Sequence, residues 1–472
     1  MKYLFTTLIL LTCALTAFCR PVDTVEVHTG QDEGIVSPLI MGFNTVYCYA
    51  PDNDWNSHDG KIPSLLEQLG TRVLRYPAGT VVTFFHWEQP TGQGWKDSWA
   101  PDFNKARNTD PASFMDIDEY LDICKRFNIT PLMGINMASG KKYDRVEEGI
   151  EEAIRLMRHC RSKGVTVRYY YLGNEPYHKT ANYMYTAEEY AEMINRYAEA
   201  MRKVDPDIRI IANTHPRNLD YTSTLIRQAG KHIDYIDIHY YWKWGNATYA
   251  NWQAEPVMHQ GGRNIPYREQ RAFYRKLAAS LGYPGIDLVS LEWNIGVTGK
   301  GNRQPTGAQA ALMVGEQFIQ FIQSGMPMAT FWTTTWPKKS DWDNRLLLDA
   351  FNENAPNKVY DMFALFRDVL GQEMVNSRSS REGLVVLSIS NPAKDTLWVY
   401  LLNKKDGNEP AEVLLKPEGF HFSKTESVYF SASGTKPGRL RLKKLESRRQ
   451  SSTGNLQFEI PAYSLVKIIL TK

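Results

Sequence analysis

The sequence predicts an α/β fold, a (β/α)8 TIM barrel followed by a C-terminal antiparallel β-sandwich. Three observations point there. Between about residues 35 and 337, eight short apolar runs bounded by turn residues alternate with segments of helical period, the pattern of buried parallel strands joined by helices. After residue 370 the helical period stops, and polar turns separate strand-like runs. No GxGxxG or GxxxxGKS/T favours the alternative, an open doubly wound sheet. A chain of 472 residues suits a large barrel plus a smaller unit.

Each element has its own justification. "MKYLFTTLILLTCALTAFCR" opens on Lys2, continues apolar and ends in small residues, so residues 1–19 are expected to be a signal peptide. The run is too short and interrupted for a membrane span, and no later segment qualifies. The chain is therefore expected to be secreted or periplasmic and not an integral membrane protein. A lipid anchor on Cys19 is the alternative, disfavoured by Phe18 where a small residue is wanted. The barrel domain is assigned to residues 20–370, with 20–34, including "DTVEVHT", joining the sandwich of residues 371–472. The strand candidates are "IVSPLIMGFN" (35–44), "TRVLRYP" (71–77), "ITPLMGIN" (129–136), "VRYYYLGNEP" (167–176), "IRIIANTHP" (208–216), "IDYIDIHYY" (233–241), "IDLVSLEWN" (286–294) and "MATFWTTTWP" (328–337). Among the helices, 187–204 has the clearest signature. Thr186 and Glu189 form a capping box, and Ala187, Tyr190, Ala191, Ile194, Tyr197, Ala198 and Met201 share one face. A second helix over 145–163 ends at Gly164.

Composition excludes several functions. With 55 basic and 52 acidic residues scattered along the chain, no nucleic-acid partner is expected. Cys48, Cys124 and Cys160 stand alone, without CxxC or CxxxH spacing, so neither a metal site nor any cofactor is expected. Aromatics make up 12% of the chain, which fits large cores and also a cleft whose flat faces stack on sugar rings.

In a barrel of this kind chemistry belongs to the C-terminal ends of the strands. The fourth strand ends on Asn174 and Glu175, after which Pro176 is expected to turn the chain outward. The seventh ends on Glu292, and strict alternation places Ser290 and Glu292 inward, with Val289 and Leu291 against the outer helices. Two glutamates at one mouth suit glycoside hydrolysis, which needs a proton donor and a nucleophile or base. The donor is expected to be raised in pKa by burial and by its partner's charge. On the sixth strand Asp237, His239 and Tyr241 share a face, and His239 or Tyr241 can reach the nucleophile. Arg75, at the end of the second strand, is placed to keep Glu292 ionised and oriented. Trp332 and Trp336 on the eighth strand are core residues or a sugar platform. Trp87, Asn44 and Asn136 are further pocket candidates.

These motifs resemble those of clan A glycoside hydrolases. "GNEP" is similar to the clan's acid/base motif and "LEWN" to its nucleophile motif. The resemblance implies that Glu175 is the acid/base and Glu292 the nucleophile, that Asn174 binds the sugar 2-hydroxyl, and that Tyr241 touches the nucleophile. Within the clan the chain looks most like the family 51 α-L-arabinofuranosidases. "RYPAG" (75–79) approximates their "RYPGG", and "LEWN" their "DEWN", with Ala78 and Leu291 as departures. The implied activity is retaining hydrolysis of an oligo- or polysaccharide, an arabinofuranoside of plant polysaccharide first. A β-glycosidase or endo-β-glycanase like families 30, 39 or 79 is the enzymatic alternative. A non-catalytic carbohydrate-binding protein is the alternative of another class. Sugar, linkage, exo or endo action and oligomeric state stay open, because loops decide them.

Overall fold

The computed structural model describes residues 22–47, 52–88, 95, 114–179, 184–259, 265–336, 343–404, 410–432, 438–449 and 454–472. The expected signal peptide, Cys19 and Cys48 lie outside the described residues. Eight parallel strand positions form a closed barrel. They are β1 (Gly42–Asn44), β2 (Val73–Tyr76), β3 (Thr130–Ile135), β4 (Tyr169–Leu172), β5 (Arg209–Asn213), β6 (Tyr235–Asp237, resuming as Tyr240–Trp242), β7 (Asp287–Ile295) and β8 (Ala329–Phe331). Each pairs in parallel with the next, and β8 also pairs with β1, which closes the ring.

Alternation along the strands sorts the core into two compartments. Leu74, Met133, Tyr170, Leu172, Ile210, Ile236 and Phe331 face the helices in the main core. Val73, Leu132, Tyr171, Ile211, Val289, Leu291 and Met328, one set from strands all round the ring, cluster inside it. The helix Ala187–Val204 shows why the outer layer forms. Its capping box is made by Thr186 and Glu189, and Tyr190, Ala191, Ile194, Tyr197, Ala198 and Met201 are buried on one face. The helix Val146–Ser162 is followed by Gly164 at φ 72°, the left-handed position a glycine adopts without a Cβ clash.

The second unit is a ten-stranded, largely antiparallel sheet folded over its own core. The N-terminal strand Asp23–Ile35 enters it, antiparallel to Glu373–Ser379 and parallel to Ala411–Glu418. The strand Thr396–Asn403 joins the two units. Leu397, Val399 and Leu401 fill the sandwich, while Trp398, Tyr400 and Leu402 pack on the barrel side. Tyr400 stacks on Phe366 at 4.4 Å between ring centres.

Two strand boundaries differ from the sequence reading. The first barrel strand covers only Gly42–Asn44, because the N-terminal strand continues to Ile35 and Pro38–Ile40 forms a 3-10 turn. The fourth ends at Leu172, and Gly173 (φ 73°) and Glu175 (φ 41°) already turn the chain before Pro176. Among the described residues no helix is long and apolar enough to cross a membrane. Cys124 and Cys160 are buried free thiols.

Candidate active site

Glu292 reaches the barrel mouth through a β-bulge. On one side Ser290 pairs with Ala329 and Trp293 with Phe331, so three steps of β7 match two of β8. On the other, Val289 pairs with Asp237 and Trp293 with Tyr240, so four steps match three of β6. One extra residue therefore lies between Ser290 and Trp293. Val289 and Leu291 face the barrel interior, and Trp293 packs outward on Phe318, Phe321 and Phe363. This corrects the expectation that Val289 and Leu291 point to the outer helices, since strict alternation does not survive an inserted residue. A bulge re-aims a side chain and frees backbone groups, and here other residues take those groups up. The Leu291 N–H donates to Asp237 Oδ1 at 2.7 Å. Its carbonyl accepts from Thr330 Oγ1 at 2.6 Å, Asn44 Nδ2 at 3.0 Å and Arg75 Nη1 at 3.3 Å.

Glu292 and its neighbours form a connected polar layer. Arg75 Nη1 donates to Glu292 Oε1 at 2.7 Å, and Nη2 donates to Asn174 Oδ1 at 2.8 Å. The guanidinium lies 4.3 Å from the centre of the Tyr171 ring. Burial opposes its charge, but Tyr171, Glu292 and Asp237 outweigh that and raise its pKa. The Tyr241 hydroxyl donates to Glu292 Oε2 at 2.9 Å. His239 stands between the two glutamates. Its Nδ1 is 2.9 Å from Glu175 Oε1 and 3.5 Å from Glu292 Oε2, and its Nε2 is 3.1 Å from Asp237 Oδ2. One oxygen of each glutamate and His239 Nδ1 all lie within 4.8 Å of one another.

The electrostatics follow from that sandwiching. Burial pulls His239 down, but Glu292, Asp237 and Glu175 outweigh it and hold the imidazole up at about 10. Burial pushes Glu175 up, yet the hydrogen bond and charge of His239 prevail and leave its carboxyl below the ordinary glutamate value. The expected upward shift of the donor carboxyl is therefore not found, because a histidine between the carboxylates takes the proton. The three-atom spacing is short enough for a divalent ion, but Arg75 and the imidazolium already supply the positive charge there.

Other sequence candidates are placed elsewhere or differently. Asn44 is fully buried and spends its amide on the carbonyls of Leu291, Thr330 and Phe331. Asn136 accepts the Ser139 N–H and turns its amide N–H groups to Ser139 Oγ and the Phe85 carbonyl. Trp87 donates to the Glu152 carbonyl and packs on His159, along the helix Val146–Ser162. Trp332 and Trp336 are half-buried, 6.0 Å apart between ring centres, and the ring of Trp332 lies over Gly79, where any Cβ would come within 2.5 Å of it. From the sequence no role is expected for Tyr171 or Asn213, and Asp237 is expected only to share a face with His239. Asp237 carried a usable signal, since an inward ionisable residue on a barrel strand must find partners. Tyr171 carried none. Its space is made by Gly134, where a Cβ would meet the ring at 2.4 Å.

A closed (β/α)8 barrel with two glutamates at its mouth, one just after β4 and one in β7, is the arrangement that the likeness to clan A glycoside hydrolases leads one to expect. Comparison with known proteins narrows the likeness. The family model described as the alpha-L-arabinofuranosidase 1 domain matches residues 65–255. The intracellular exo-alpha-(1->5)-L-arabinofuranosidase 1 of Bacillus subtilis is 26% identical over 224 residues, which are 41% of this chain and 42% of that protein. The chain thus aligns with about two fifths of that relative's length. Among solved structures, the alpha-L-arabinofuranosidase of Thermotoga maritima in its arabinose complex superposes with a TM-score of 0.72 at 16% identity, over 95% of this chain and 100% of that one. The family 51 arabinofuranosidase of Xanthomonas axonopodis pv. citri gives a TM-score of 0.71 at 16% identity, with the same coverage. The chain is similar to clan A glycoside hydrolases close to the family 51 arabinofuranosidases.

Proposed function

We propose that this chain is a retaining glycoside hydrolase, an α-L-arabinofuranosidase acting on plant polysaccharide, with Glu175 as acid/base and Glu292 as nucleophile. The observation that carries this reading is the carboxylate pair itself, with one oxygen from each glutamate inside a 4.8 Å group. Inverting enzymes need about 6.5–9.5 Å to admit a water, whereas retaining ones hold the carboxyl groups about 5–5.5 Å apart. Glu292, held by Arg75 and Tyr241, attacks the anomeric carbon. The proton on the Glu175–His239 pair goes to the leaving oxygen, and water then enters as Glu175 takes its proton. Asn174 has its oxygen committed to Arg75 and its amide nitrogen left to meet a sugar hydroxyl. The names of the matched relatives support the arabinofuranoside over other sugars. Export is part of the reading and rests on residues 1–19. A mature N-terminus near residue 20 by mass spectrometry fits it, and an exported-host product still beginning at Met1 does not.

A panel of aryl glycosides beginning with 4-nitrophenyl α-L-arabinofuranoside tests the activity. The proton NMR time course of the first-formed sugar tests the stereochemistry. The expected result is turnover of the arabinofuranoside with the α-anomer appearing first. The β-anomer first would remove the double displacement. Glycan binding without turnover of any glycoside would favour a binding protein instead.

A further inference from the structure

Asp237 is used by none of the steps above, yet it joins all of them. It is 1% exposed, and its two oxygens face different strands. Oδ1 accepts the Leu291 N–H of the bulge at 2.7 Å. Oδ2 accepts from Asn213 Nδ2 at 2.7 Å and lies 3.1 Å from His239 Nε2. A buried carboxylate is tolerated only when donors meet it, and these come from β5, β6 and β7. His239 is faced by Asp237 of β6, Glu175 after β4 and Glu292 of β7, and Tyr241 of β6 donates to the same Glu292 oxygen. Arg75 of β2 lies behind Glu292, and Tyr177 and His178 lie beside Glu175. Both ring nitrogens thus meet carboxylate oxygens. A neutral imidazole has one N–H and would set a lone pair against one of them. Because Asp237 engages Nε2, the proton that can be exchanged is the one at Nδ1, against Glu175.

We propose that Asp237 is the positioning residue that serves both catalytic carboxylates at once. It fixes the His239 ring so that Nδ1 keeps a proton against Glu175, and it pins the bulge that presents Glu292. The proposal rests on the roles given above to Glu175 and Glu292. In the first half-reaction the proton shared by His239 Nδ1 and Glu175 leaves with the glycosidic oxygen, as the carbon–oxygen bond breaks and the ester to Glu292 forms. In the second, a water proton returns to the same pair as the ester is hydrolysed.

The test is Asp237→Asn in the full chain. The amide can still accept the Leu291 N–H, but it turns N–H toward His239 and Asn213, so the imidazolium loses the carboxylate at Nε2 and holds its proton less tightly. The expected outcome is a fall in kcat of about 10²–10⁴-fold, the range seen when a carboxylate orienting an imidazole is lost, with KM changed by less than about fivefold. The alkaline limb of kcat/KM moves to lower pH by roughly one unit, since one carboxylate fewer faces the ring. In a His239→Gln background the same change lowers kcat by less than about threefold further, because the two residues act as a unit. An unmoved alkaline limb, or full additivity with His239→Gln, overturns the proposal. If Asp237→Asn does not fold, Asn213→Ala gives the reading with opposite sign. Asp237 then loses a neutral donor, presses harder on His239 and moves the limb to higher pH; no movement overturns the proposal. Wild-type retention with either negative result removes only the role of Asp237, whereas loss of retention in the wild type removes the reading beneath it.

Discussion

The interior of the barrel has two layers built from the same strands by opposite rules. The deeper layer holds Val73, Leu132, Tyr171, Ile211, Val289 and Met328, and burial of apolar surface dominates its stability. Two residues further along, on the same face, Val73 gives way to Arg75, Ile211 to Asn213, and Tyr235 to Asp237 and then His239. That upper layer is almost as dry, with Arg75 1% and Glu292 5% exposed. It is held by pairing, each group sharing its partners with a neighbour. A barrel can therefore carry a charged site without a separate scaffold. The period of two that fills its core also delivers Arg75, Asn213 and Asp237 to the mouth, while Glu292 arrives through the β7 bulge and Glu175 through the turn after β4.

Substitutions in the two layers should separate turnover from stability. The largest expected effect is in the upper layer. Glu175→Ala should lower kcat by about 10²–10⁴-fold on sugar or alkyl leaving groups, and far less on 2,4-dinitrophenyl arabinofuranoside, whose leaving group needs no proton. Equal losses on both substrates in steady-state assays would contradict the acid role. Ile211→Ala, in the deeper layer, should reverse the pattern. Chemical denaturation should show a loss of roughly 2–5 kcal/mol from the transferred methylenes and the cavity left, while kcat stays within about twofold. A large kcat loss without destabilisation would break the two-layer distinction. The smallest effect is at Ala78, which holds φ 63° and ψ 154°, a conformation normally left to glycine. Ala78→Gly should stabilise the protein by about 1 kcal/mol in calorimetry. A destabilised variant would mean that the Cβ makes contacts worth more than the strain.

Much of this was legible in the sequence because it is periodic or terminal. The helix Ala187–Val204 opens on a capping box, a local signal, and the structure ends it at Asp205. Asn174, Glu175, Arg75, His239 and Tyr241 are legible as polar residues at or near the ends of apolar strands, and the structure brings them together at one mouth. The bulge was not legible. "LVSLEWN" reads equally well in regular alternation, and one extra residue in a hydrogen-bonding register leaves no mark in composition. Asn44, at the end of the first strand, reads as a pocket residue, but its amide is taken up by carbonyls of β7 and β8 that no local sequence signal places beside it. Trp87 reads from the sequence only as a pocket candidate in the loop after the second strand, because the backbone carbonyl and histidine that engage it come from a helix about 65 residues downstream. Asp237 was visible as a face but not as a junction, because its partners lie on three strands.

The proposed double displacement depends on Glu292 being the group that bonds to the sugar. Treating the Glu175→Ala variant with a 2-fluoro-arabinofuranosyl donor bearing a good leaving group, followed by peptide mapping by mass spectrometry, tests this directly. The predicted result is a single glycosyl adduct on the peptide containing Glu292, lost when Glu292 is replaced by Gln. An adduct on any other residue, or turnover of the donor with no adduct, would contradict it.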